Sequence, residues 1–95
     1  MARWKKPTKE EILENRRTLA ERARTGDLRL PEAVADIRKG FGMTQEEFAK
    51  MLSLTRRQVA EIEAGVANPT LETLDRIGRL FGFGIGFVPR HREPG

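Results

Sequence analysis

Two helix-start signals follow one another in the middle of the chain, and they constrain its fold more than anything else in it. In "TQEEFAKMLSLTRRQVAEIEAG" Thr44 is followed by Glu47, and Thr55 by Gln58. A threonine with Glu or Gln three residues on satisfies two orphan backbone donors reciprocally, so each pair marks a helix N-terminus. Residues 44–52 and 55–64 are therefore predicted as two short helices with almost no connection between them. Phe48, Ala49 and Leu52 give the first an apolar face, and Val59 and Ile62 give one to the second. Neither face can be buried alone, and so tight a turn makes the helices cross steeply. Ala49 suits that crossing, where a larger side chain would hold the helices apart. Gly65 stops the second helix.

Further helix signals lie on both sides. Thr8 and Glu11 form another capping box, followed by Ile12, Leu19, Ala20 and Ala23 on one face and closed by Gly26. Arg16 and Arg17 interrupt that face, so this helix is expected to be only half packed. Pro31 opens a helix with Ala33, Val34 and Ile37 inward, ended by Gly40. Thr70 caps a last helix, with Leu74, Ile77, Gly78 and Phe81 inward and Gly82 at its end. In "FGFGIGFVPR" large apolar residues then alternate with glycine, a period of two that reads as a short strand. A lone strand has an unpaired edge, so its expected partner is the same strand of a second copy. Phe81, Phe83, Ile85, Phe87 and Val88 would form that dimer interface. The fold class is all-α, with five helices and this short C-terminal β-strand.

The chain has 95 residues, which suits one small domain with an appendage. It divides into a basic arm and extra helix at 1–29, a helical domain at 30–82 and a strand with tail at 83–95. The net charge of +4 is uneven: +4 falls on residues 1–30, −1 on 31–69 and +1 on 70–95. A polyanion partner fits that balance, but the neutral middle would have to grip it with placed residues. There is no cysteine, hence no disulfide framework, which fits a reducing cytoplasm. The basic start is followed by no apolar run, and nothing is long enough to span a bilayer, so neither a secretory signal nor a membrane is expected. No His/Cys/Asp cluster suggests a metal, no phosphate loop suggests a nucleotide, and no nucleophile stands by a base. The single histidine, His91, lies in the tail and reads as neither ligand nor base. No enzyme activity and no cofactor is expected.

The steeply crossed helix pair is a helix-turn-helix. The stretch "TQEEFAKMLSLTRRQVAEIEAGVANPTLETLDRIGRLFG" resembles the DNA-binding domain of the lambda repressor, Cro and Xre family. Gln45, Ala49, Leu54, Val59, Ile62, Glu63 and Gly65 fall where the family's pattern expects them, and the likeness covers about residues 30–82. Ser53 departs from it, standing where the family usually has glycine.

The resemblance implies roles residue by residue. The helix from Thr55 would lie in the major groove of duplex DNA with its first residues at the base edges. Arg56, Arg57 and Glu61 match base-contacting positions. Gln45 matches a residue that contacts phosphate and steadies the recognition helix, while Thr44, Thr55, Asn68 and Thr70 sit where phosphates would pass. Arg38 and Glu63 match a structural ion pair. Blander readings stand beside these. Gln58 is a base contact or only a capping residue. Arg57 and Glu61, four apart on one helix face, read bases or merely pair in water. "RWKK", Arg3 to Lys6, is a solubilising tail or an arm that follows DNA, and Trp4 a packing anchor or a partner contact. The expected function is sequence-specific repression of transcription by a homodimer on a palindromic operator. The alternative is an antitoxin, since small proteins of this family with a strand after the last helix resemble antitoxins of the HipB and HigA kind. Such a protein binds a toxin partner and represses its own operon.

Overall fold

The structure is a computed structural model and describes residues 4–90. Arg3 and His91 lie outside the described residues. Five helices follow in order: α1 (Lys9–Arg24), α2 (Glu32–Gly40), α3 (Gln45–Leu52), α4 (Arg56–Glu63) and α5 (Leu71–Phe81). Local chemistry sets most of their starts. At Thr8, Thr44 and Thr55 the hydroxyl accepts from the backbone N–H three residues on, and that residue's side chain accepts from the threonine N–H. Thr70 accepts from Thr73 N–H at 3.1 Å and opens α5. Pro31 precedes α2 without a side-chain cap.

Gly40 closes α2 but is not its left-handed stop. It is the helix's last residue, and Gly42, at φ +73°, takes the left-handed turn beyond it. Gly40 serves packing instead. A Cβ there would lie 2.7 Å from Leu19 Cδ1, so its absence lets α1 come close to α2. Leu19 is the one fully buried side chain of α1, and Leu13 is exposed. Polar contacts complete the seam. Asn15 Nδ2 donates to Gly40 O at 3.1 Å, Arg22 pairs with Asp36 at 2.9 Å, and the Arg16 guanidinium lies 5.5 Å from the Phe41 ring centre.

Phe48 and Val59 are the most deeply buried large side chains, at 0% and 1% exposure. They stand where α3 and α4 cross. Leu19, Val34, Ile37, Ala49, Leu52, Ile62 and Ile77 complete the core around them, so one apolar cluster holds all five helices together. Burying a side chain of this kind contributes about 1.5–3 kcal/mol, more than the exposed ion pairs do.

The expected C-terminal strand is not formed among the described residues: 83–90 have no ladder partner in the single chain. The chain instead folds back at the end of α5. Gly82 is left-handed at φ +88°, and Gly82 and Phe83 both donate to Gly78 O, at 2.8 and 2.7 Å. Gly78 permits this, because a Cβ there would collide with the Phe83 carbonyl oxygen. The Phe81 ring packs against Phe41 and Phe48, with centroids 4.8 and 5.4 Å away, and Phe83 packs on the same core. These two residues of the expected dimer interface therefore face their own domain. Ile85, Phe87 and Val88 stay exposed, Phe87 completely. Arg29 Nη2 donates to Pro89 O at 2.7 Å, which fastens the tail beside the α1–α2 connection.

Candidate nucleic-acid interface

The turn between α3 and α4 is made by Ser53, which is left-handed at φ 57° and ψ 39°. Most residues avoid this conformation, at a cost of about 1–2 kcal/mol. Three bonds hold it. Ser53 N–H donates to Lys50 O at 3.3 Å, Leu54 N–H donates to Ala49 O at 2.9 Å, and Arg76 Nη1 of α5 donates to Leu52 O at 3.2 Å. The serine thus makes the turn that the family usually gives to glycine. Arg76, which sequence reasoning missed, helps to fasten it.

Beyond the turn, α4 has two different ends. At its start Thr55 Oγ1 accepts from Gln58 N–H at 3.0 Å, and Gln58 Oε1 accepts from Thr55 N–H at 2.8 Å. The Gln58 carbonyl is therefore occupied, and only its amide nitrogen is open to a ligand. Arg56 and Arg57 follow on the exposed surface, and the first turn of α4 holds no acidic residue. Arg57 Nε stands 3.5 Å from Glu61 Oε2, with the arginine side chain 87% exposed. So loose a contact in water leaves the guanidinium fork available.

The far end of α4 is tied down. Arg38 of α2 meets Glu63 with two parallel bonds, Nε to Oε2 at 2.7 Å and Nη2 to Oε1 at 3.0 Å, with both side chains only 8% exposed. Arg38 Nη1 also donates to Met43 O at 2.9 Å, and Gln45 Nε2 donates to Glu63 Oε1 at 3.1 Å. One buried carboxylate thus joins α2, α3 and α4. Gln45 reaches α4 through it, while its backbone stays at the start of α3.

The start of α3 holds a second carboxylate. Glu47 Oε1 accepts from Thr44 N–H at 2.8 Å, and Lys6 Nζ lies 2.7 and 2.8 Å from the two carboxylate oxygens. The Lys6 ammonium, then the Thr44 N–H, hold Glu47 down from 4.5 to about 2. This latch fixes the arm beside the motif. Trp4, half exposed, shares a shallow hollow with Lys39, Thr44, Gln45, Glu46 and Arg56. No local pattern foretells a bond between residues 41 apart. The lysine run itself was its only signal. Asn68 and Thr70 lie exposed in and after the loop that follows α4. The structure thus brings Thr44, Gln45 and Arg56 to one hollow, and sets Arg57 and Glu61 side by side along α4. Among the described residues no group of His, Cys, Asp and Glu could hold a metal, and no helix is long and apolar enough to cross a membrane.

Two short helices locked across a left-handed turn, with a bare cationic end on the second, define a helix-turn-helix protein. A family model described as helix-turn-helix matches residues 34–88. An Archaeoglobus fulgidus protein named as an uncharacterized HTH-type transcriptional regulator is 38% identical over 48 residues, 50% of this chain and 69% of the relative. One of the same description from Methanothermobacter thermautotrophicus is 37% identical over 49 residues, 52% of this chain and 71% of the relative. No solved structure is a significant match. The chain belongs to the helix-turn-helix family of the Xre, lambda-repressor-like type.

Proposed function

We propose that the protein binds duplex DNA sequence-specifically through α4 and regulates transcription, acting as a repressor. The observation that carries this is the asymmetry of α4. Its far end is fixed by the buried Arg38–Glu63–Gln45 junction, while its leading end presents Arg56 and Arg57 with no acid in the first turn. A rigid helix with a free guanidinium fork at its tip suits the O6/N7 edge of guanine in the major groove. Thr44, Gln45, Thr55, Asn68 and Thr70 are assigned to the phosphates on either side, and Glu61 and the Gln58 amide to secondary base contacts. The naming of the Archaeoglobus fulgidus and Methanothermobacter thermautotrophicus relatives as HTH-type transcriptional regulators supports the regulatory reading.

Binding as a homodimer follows from the size of the reader. One helix of 8 residues makes few base contacts, so selectivity needs two copies on a palindrome whose half-sites lie about 10 bp apart or a multiple of that. Ile85, Phe87 and Val88 are the exposed apolar residues that a second copy would cover. The antitoxin alternative leaned on a strand after the last helix. It drew also on residues 1–29 as a place for a partner; residues 83–90 form no ladder in the single chain, and the exposed cationic end of α4 favours the regulator reading.

The test is selection of bound sequences from random duplex DNA, then comparison of Arg57→Ala with the parent. The expected loss is about 1–3 kcal/mol on the selected site, with relaxed preference at one base pair. Equal losses on selected and scrambled duplexes would reduce Arg57 to a phosphate contact. Sedimentation of Phe87→Asp is expected to give a monomer; a dimer would remove the tail from the interface.

A further inference from the structure

We infer that the N-terminal arm and the end of α2 form a second wall of the DNA interface, gripping the phosphate backbone of the same duplex beside α4. The inference rests on the reading of α4 given above and names what that reading left out. Its first ground is placement. Lys6 is latched to Glu47 at 2.7 Å, which sets Trp4 in one hollow with Arg56, Thr44 and Gln45, the residues assigned to base edge and phosphate. Lys39, near the end of α2, lines the same hollow.

Charge is the second ground. Residues 31–69, which hold the whole helix-turn-helix, carry a net charge of −1, whereas residues 1–30 carry +4. Backbone affinity for DNA comes from cations that displace condensed counterions, with a slope of log K on log salt of about −0.9 per phosphate neutralised. A nearly neutral reading module needs such cations from elsewhere. Lys5 and Lys39 are exposed and form no ion pair among the described residues. Glu46 also lines the hollow, and Lys6 is held by Glu47, so neither residue adds net attraction there. The half-exposed Trp4 indole offers an apolar face to the sugar of the passing strand.

The test titrates the full chain with a duplex selected from random DNA, and with a scrambled one, at several salt concentrations. The parent is compared with the Lys5→Gln, Lys39→Gln double variant, after circular dichroism shows that both fold. Expected for the variant are affinities at least roughly tenfold weaker on both duplexes and a salt slope shallower by about 1.8, with the preferred sequence unchanged. Trp4, the only tryptophan, should change its emission on binding in the parent. A parent that selects DNA, beside a variant of equal affinity and slope, would overturn the second wall and leave the reading of α4 standing. A parent that selects no sequence would overturn both.

Discussion

The motif has two carboxylates held by cations from outside it, and they are held very differently. Glu63 is buried, meets Arg38 with two parallel bonds and takes a third from Gln45. Glu47 lies at the surface, and Lys6 grips it from an arm 41 residues away, with side chains 55% and 47% exposed. The first junction sets where α4 stands. The second decides only where the arm lies. Bond lengths do not reveal this, because both pairs include a 2.7 Å contact. Burial does: water and salt screen the surface latch, whereas the buried carboxylate has no solvent to fall back on.

The sharpest way to break the comparison is Arg38→Met. It leaves the Glu63 carboxylate buried without its partner and should cost about 3–5 kcal/mol in thermal or urea unfolding. Adding Glu63→Leu should restore part of that, since no buried charge is then left unpaired, although Gln45 Nε2 and Met43 O lose their partners. A single variant costing less than about 1 kcal/mol would mean that burial does not separate the two sites. A smaller effect is expected at the surface site's own cap. Thr44→Ala removes the acceptor for Glu47 N–H and should lower stability by about 1 kcal/mol. Smallest of all is Lys6→Gln, which should leave the unfolding midpoint unmoved yet shift Trp4 emission as the arm lets go.

Acid should copy that last variant. The folded pKa of Glu47, about 2, lies below its ordinary 4.5. The latch is therefore whole above pH 4.5 and is lost as the pH falls toward 2. Trp4 emission followed downward from pH 7 should hold steady to about pH 4.5 and change as the pH falls through about 2, and not at all in Lys6→Gln. A change centred near pH 6 would assign the signal to another group.

The same contrast marks what was legible in the sequence. Each cap is a bond between residues three apart, so the helix starts at Thr8, Thr44, Thr55 and Thr70 could be read by spacing. The apolar stripes that build the core have the period of one helix and were equally open. Arg38 with Glu63 came only through the family resemblance, and Lys6 with Glu47 not at all, because periodicity carries no information about partners far apart in the chain. At the tail periodicity misled. The alternation of Phe81, Phe83, Ile85 and Phe87 is real, but alternation fixes faces and not neighbours. Gly78 lets the chain turn back onto α5, so Phe81 and Phe83 reach their own core where a second strand had been expected.

The close approach of α1 to Gly40 also bears on the order in which the molecule comes apart. Leu19 is the only fully buried side chain on 16 residues of helix, and the missing Cβ of Gly40 is what seats it. With one buried leucine and a part-exposed polar seam, α1 should open at lower free energy than the helices around Phe48 and Val59. The arm hangs from that helix. Opening α1 would then move the arm that carries Lys6, while α3 and α4 keep their crossing.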